Sequence, residues 1–547
     1  MAMSVPRAPG FSSMLKEGAG QLSGVEEAVI RSIEACNELT NILKTSYGPR
    51  GLNKMVINHL EKLFVTNDAA TIIQQLQVQH PAAKMLEMAS QTIEKEVGDG
   101  TNYVILLAGA LLEKAEDLLR MGLKPVEIVE GYEMAKDKIL DEILPSLVTD
   151  HVKQFNNIEE VKRGIRSAIA SKQYGYEDFL ADLIGRACVA VMPKGENASF
   201  SVDNVRVCKI LGSGVTCSKI VNGMVLKKSV EGTITQASNA KVAVYTCPVD
   251  VPSTETKGTV LIQTAQELQN FSRGEEVLFE KQISDIAAAG VKVIVSGGKF
   301  GDMALHFCNK YGLMAVRLMS KFDVRRLSRT VNATALPKLQ APKPEEIGFC
   351  DNVYIDEIGD TSVVIFEQNS KESRISTIVI RGSSDNIMDD IERAVDDGVN
   401  TFKALTKDGR LVPGAGASDA EMAAKIASFG ETLPGMEQYA VDKFSEALLT
   451  IPLAIAENAG INQEVMATLM AAHQQGDTTA GIDIDSESYK TLDAVKSKIY
   501  DLYLTKYWGV KYAVNAATTV LMIDQIIWAK PAGGPKPRQG GGDWDQD

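Results

Sequence analysis

Gly98-Asp99-Gly100-Thr101-Asn102 separates two stretches of helical apolar pattern. Upstream, Pro81 opens an amphipathic helix whose apolar face is Met85, Leu86, Ala89, Ile93 and Val97. Downstream, a mostly apolar helix runs from Thr101 towards Met121, with Gly122 as its cap. The turn between them crowds backbone N–H groups at the start of a buried helix. Such a helix end carries unpaired donors and the positive end of a dipole, which suits phosphate. Asp99 stands beside that seat, and Mg²⁺ favours one or two carboxylates together with phosphate oxygens and water. A second turn of the same kind, Thr66-Asn67-Asp68-Ala69-Ala70-Thr71, precedes another helical pattern. Two such turns point to a Mg-nucleotide site. Taken singly, each Asp also reads as a turn residue, and Asp68 as a helix N-cap.

At 547 residues the chain exceeds a single hydrophobic core, so two to four domains are expected. A net charge of −14 argues against nucleic acid or an anionic membrane as the main partner. The longest conspicuous apolar run, Tyr103 to Leu112, is too short to span a bilayer, and Met1 to Gly24 shows no signal-peptide pattern. The seven cysteines are scattered without a C-x-x-C, the pattern of reduced thiols in a cytosolic protein. The five histidines are equally dispersed and suggest no metal site.

Residues 1–22 read as a loose arm. Ser23-Gly24-Val25-Glu26 is a capping-box pattern, followed at helical spacing by Val29, Ile33, Cys36, Thr40 and Leu43 as far as Tyr47-Gly48-Pro49. Met55–Ile57 and Leu63–Thr66 form an expected hairpin. From about residue 200, β-branched runs (205–211, 241–245, 291–295, 313–316, 353–355 and 362–366) alternate with helical stretches such as 275–289. After Met388 the pattern turns helical again over 390–405, 420–429, 437–449 and 491–507. Helix-rich ends around a strand-rich middle suggest a middle inserted into a helical domain. The tail from Lys530 is low-complexity and expected to be disordered.

The familiar nucleotide motifs are absent. Gly297-Gly298-Lys299 is followed by Phe300 and lacks the P-loop's upstream glycine, and Gly212-Ser213-Gly214 is a lone G-x-G better read as a turn between strands. Kinase-loop and serine-hydrolase patterns are missing too.

Five motifs in order carry a resemblance instead: Tyr47-Gly48-Pro49-Arg50-Gly51, Thr66–Ile72, Gly98–Asn102, Glu392-Arg393 with Asp396-Asp397, and Val412-Pro413-Gly414-Ala415-Gly416. Over essentially the whole chain, the sequence resembles subunits of the group II (eukaryotic cytosolic) chaperonins. The resemblance implies a mixed α+β fold of three domains. A mainly helical equatorial domain would comprise residues 1–150 and 406–530. A hinge-like intermediate domain would comprise 151–218 and 371–405, an α/β apical domain carrying client binding and the lid protrusion 219–370, and the tail 531–547. It further implies a hetero-oligomeric double ring with sister subunits in the cytoplasm, unfolded polypeptide clients, and ATP with Mg²⁺ as cofactors. ATP hydrolysis would close a built-in lid.

Residue by residue, the resemblance makes Asp99 the Mg²⁺ ligand. The backbone at Gly100 and Thr101, with the Asn102 side chain, would cradle the phosphates, Tyr103 would also bind nucleotide, and Tyr47, Gly48 and Pro49 would line it. Ser171-Lys172 match a nucleotide-binding hinge segment whose Lys would reach the phosphates, and Gly414, Ala415, Gly416 and Asp501 would hold ribose and base. Asp397 would orient the attacking water, with Asp68 opposite, and Asp396 would be its exposed neighbour. Lys172 also reads as a solvated lysine, and Asp501 as a surface charge on a helix. Ala69, Asn102, Ala415 and Asp396-Asp397-Gly398 depart from the common family pattern, which bears on rate more than on activity. A ring subunit that holds nucleotide but hydrolyses it slowly is therefore the alternative. A metal-dependent phosphatase would need a second ligand cluster that the sequence lacks.

Overall fold

The computed structural model describes residues 20–23, 25–193, 199–251, 263–368, 375–485 and 491–528. Helices from both ends of the chain share one core. Helices α1 (Arg31–Lys44), α2 (Ala69–Leu76), α3 (Pro81–Glu96) and α4 (Thr101–Met121) pack with Pro125–Lys138, Ala417–Gly430, Glu437–Asn458 and Tyr503–Leu521. α4 is the axis: Val104 to Ala108 are all fully buried, because α1, α3 and the two long C-terminal helices surround it. Tyr103 to Leu112 are buried on every side and need no polar face, hence the continuous apolar run there. It ends at Gly122, whose φ of +101° suits the left-handed cap.

A second core joins helices Ile158–Ala170, Glu177–Val191 and Asp385–Lys407 to strands Val205–Leu211 and Ser376–Gly382. Phe200 meets Phe402 there edge-on, with ring centroids 4.8 Å apart. The sheet continues from these strands through Lys219–Leu226, Thr361–Glu367, Gly348–Ile358, Gln236–Tyr245, Val291–Ser296 and Met314–Arg317. Its last three strands run parallel to one another. Val242, Val244, Val293 and Val295 face helix Lys321–Val331, whereas Ala243, Tyr245 and Ile294 face helices Ala265–Ala288 and Asp302–Lys310. Burial on both faces explains why these strands read as unbroken β-branched runs.

Three expectations need correction. Residues 20–22 are not loose: Gly20–Ser23 pairs antiparallel with Gln525–Trp528, so Ser23 ends a strand and does not cap a helix. A π-helical turn, Val25–Ile30, leads directly into α1. The helix expected over 491–507 is instead two short strands, Thr491–Asp493 and Tyr500–Leu502, with the helix beginning at Tyr503. Tyr500–Leu502 pairs with Leu411–Pro413, a partner distant in sequence, and this tertiary pairing overrides local helical spacing. The helix from Glu437 also continues through Pro452 to Asn458. The expected tail and the rest of the N-terminal arm lie outside the described residues.

Tyr132 and Phe444 bring the two chain ends together, edge to face at 5.6 Å and fully buried. Phe444→Ala should lower the unfolding free energy by about 3–5 kcal/mol. Urea unfolding of the purified chain reads this directly, and an unshifted midpoint would show that the contact does not hold the ends together.

Candidate active site

Four chain segments converge where the N-terminus of α4 meets the second core. The first follows α1: Gly48 turns left-handed at φ +83°, and Asn458 donates to the carbonyls of Lys44 and Tyr47, both at 2.8 Å, which fixes the turn. The second is the turn into α2, where Asp68 caps the helix by accepting from Thr71 N at 3.0 Å and Thr71 Oγ1 at 2.7 Å. The third is Gly98–Asn102. Gly100 has φ +81°, and an added Cβ would lie 2.8 Å from Thr505 Cγ2, so both conformation and space demand glycine. The fourth, Gly414–Gly416, follows the strand Arg410–Pro413 and opens the helix Ala417–Gly430.

Between these segments and the loop after Ala170 lies a cavity of about 300 Å³. Tyr47, Gly48, Pro49, Asp99, Gly100, Thr101, Asn102, Tyr103, Ser171, Lys172, Ala415, Gly416 and Asp501 all line it. Asp68, Asp397 and Gly414 do not line it. Both carboxylates reach it through Lys172, whose Nζ lies 2.9 Å from Asp68 Oδ1 and 3.5 Å from Asp397 Oδ2.

Lys172 is therefore no solvated surface lysine: its side chain is 10 % exposed. Burial works against the Lys172 ammonium, but Asp68 and Asp397 outweigh it and raise its pKa. Burial also pushes Asp68 upward, yet Lys172 and the Thr71 hydrogen bonds hold its carboxyl well below the usual range. Asp397 is moved the other way: burial dominates, and the nearby Asp68 and Asp99 add repulsion, so its carboxyl lies well above the ordinary value. Asp99 is likewise raised by burial, although the Gly100 N–H donates to its Oδ1 at 2.7 Å. Asp396 is exposed, as expected of the neighbour of Asp397.

A second charged group lies beneath the other end of the cavity. Lys506 Nζ donates to Asp419 Oδ2 at 2.7 Å and lies 3.3 Å from Asp501 Oδ2, while Tyr103 OH donates to Asp419 Oδ1 at 2.9 Å. Asp501 sits on a strand opposite Val412, not on a helix surface, and burial raises its pKa. Lys506, Asp419 and Asn458 carry no local signal in the sequence, and Asp419 and Asn458 fall outside the helical stretches expected over 420–429 and 437–449; only the tertiary fold turns the three inward. Across the cavity mouth, Asp485 accepts from Arg50 Nη2 at 3.0 Å and from Tyr174 OH at 2.7 Å.

The arrangement offers helix-terminal N–H groups, a lysine and buried carboxylates. Sequence comparison identifies its context, since the profile of the TCP-1/cpn60 chaperonin family matches residues 39–531. The chain belongs to that family. Among relatives, this chaperonin is 59% identical to the T-complex protein 1 subunit theta of Homo sapiens over 548 residues, covering 100% of both chains. The subunits of the same name from Gallus gallus and Caenorhabditis elegans are 58% and 55% identical, the latter over 98% of each chain.

Ala415 sits at φ +54°, a left-handed position that favours glycine. A Cβ added to Gly481 would fall 2.9 Å from the Ala415 Cβ, so glycine at 481 leaves room for the methyl at 415. The chaperonin thus carries a local backbone cost at this turn. Ala415→Gly should raise stability by about 1 kcal/mol or less, since relieved strain is partly offset by a more flexible unfolded chain. Thermal unfolding checks this, and a lower midpoint would contradict it.

Proposed function

We propose that this chaperonin subunit binds and hydrolyses Mg-ATP in the cavity at the N-terminus of α4. On this reading it works in a hetero-oligomeric double ring of the cytosol, where hydrolysis drives lid closure over enclosed polypeptide. The observation that carries the proposal is the convergence of Asp68, Asp99 and Asp397 with Lys172 beside that helix end. The volume of about 300 Å³ is at the lower end of small-molecule pockets. Among the described residues no group of three His, Cys, Asp or Glu could hold a metal alone. Asp99 nevertheless fits Mg²⁺, which takes few protein carboxylates and completes its shell from phosphate and water. When bound, Mg²⁺ would supply neutralisation of the phosphate oxygens.

The chain's own residues would do the rest. N–H groups of the first turn of α4 hold phosphate oxygens, and Lys172 compensates charge at the γ end. Asp397, whose burial raises its proton affinity, takes the proton from water attacking the γ-phosphate. Asp68, kept ionised, anchors Lys172. Because Lys172 follows helix Ile158–Ala170 and Asp397 lies on Asp385–Lys407, both helices of the second core, chemistry would depend on that core seating against the helical one. Among the described residues no helix is long and apolar enough to cross a membrane.

Asp99→Ala should weaken Mg-ATP binding outright. Asp397→Ala should leave binding intact and lower turnover by this subunit by about 10²-fold or more. In single-turnover hydrolysis by the assembled complex, a parental rate from Asp397→Ala would refute the assignment.

A base must be deprotonated to act. Since the Asp397 pKa is raised, the rate should rise with pH through it, so that acidification lowers the rate already at pH values above the ordinary carboxylate range. A pH–rate profile flat down to about pH 4 would contradict a raised base.

A further inference from the structure

We infer that Asn102 is a positioning residue that clamps three backbone segments into one phosphate cradle. Its Oδ1 accepts from Ala69 N at 2.9 Å, and its Nδ2 donates to Ser46 O at 3.3 Å and Asn67 O at 3.4 Å. Both amide hydrogens are thereby directed at main-chain carbonyls. A phosphate contact from this residue falls to its backbone N–H, not to the side chain.

Each bond meets a local need. Ala69 is the first residue of α2, so its N–H has no partner within the helix, and Asp68 caps Thr71 instead. Ser46 and Asn67 are both buried, at 2% and 8% exposure, so their carbonyls are largely cut off from solvent. One amide therefore serves the end of α1, the turn into α2 and the start of α4 together. The link extends further: Asn67 Nδ2 donates to Ser171 O at 3.1 Å, which ties the clamp to the loop that carries Lys172. A single hydroxyl offers one donor, so it cannot donate to both carbonyls.

The inference rests on the proposed nucleotide reading for its consequence, which is slow nucleotide release, but not for the clamp itself. Two measurements on the assembled complex separate them. Residue-resolved hydrogen exchange without nucleotide reports the Ala69 amide. Photo-crosslinking with 8-azido-ATP after timed dilution reports how long this subunit retains nucleotide.

Alanine favours the helix, so Asn102→Ala removes the side-chain bonds without disfavouring α4. It should speed Ala69 exchange and shorten retention by about tenfold each, with assembly yield unchanged. Asn102→Asp keeps the acceptor for Ala69 but loses both donors. It should preserve Ala69 protection while still shortening retention. Parental exchange of Ala69 in Asn102→Ala would overturn the clamp, and parental retention in both variants would overturn the positioning role. Absence of label on the parental subunit would overturn the nucleotide reading, while the exchange measurement would still decide the clamp.

Discussion

Everything at the candidate site depends on one buried cation placed between carboxylates from two different cores. Lys172 stands at the end of a helix of the second core, yet its ammonium bonds Asp68 of the helical core at 2.9 Å and lies 3.5 Å from Asp397. Without it, Asp68, Asp99 and Asp397 would lose the cation that offsets their mutual repulsion. Removing one partner of a buried ionic group costs about 3–5 kcal/mol, because the remaining charges lose compensation. The two cores are therefore tied by electrostatics at the point where the proposed chemistry occurs. Apolar packing elsewhere orients them.

This placement explains why the carboxylates differ. Asp68 is hydrogen-bonded by Lys172 and Thr71 and is held ionised, whereas Asp397 and Asp99 lack enough donors to offset burial. Environments that push neighbouring carboxyls apart assign them different tasks. In the proposed mechanism one anchors, one takes a proton, and one awaits a cation. The Lys506–Asp419–Asp501 group at the far end is built on the same plan, a buried lysine shared between two carboxylates.

Much of this was legible in the sequence where local physics decides structure. The helix over Thr101–Met121 with its Gly122 cap, the hairpin of Lys54–Ile57 with Leu63–Thr66, and the β-branched strands of the middle all follow from periodicity and turn residues. The convergence of Asp99, Lys172 and Asp397 was not legible from pattern alone, because they lie far apart along the chain. Only the family resemblance brought them together. Tertiary pairing misled the reading at Tyr500–Leu502, where a distant strand partner overrides helical spacing and buries Asp501. Asn102 shows another limit: its residue type permits a phosphate contact, but only the fold reveals three backbone groups already claiming its amide.

The most direct measurement is electron cryomicroscopy of the assembled complex with Mg-ATP or a non-hydrolysable analogue, at a resolution that shows the nucleotide in this subunit. The account predicts phosphate density at the first turn of α4, cation density touching Asp99, and Lys172 with Asp397 on the γ side. Nucleotide seated elsewhere, or a cation held by groups other than Asp99, would contradict it.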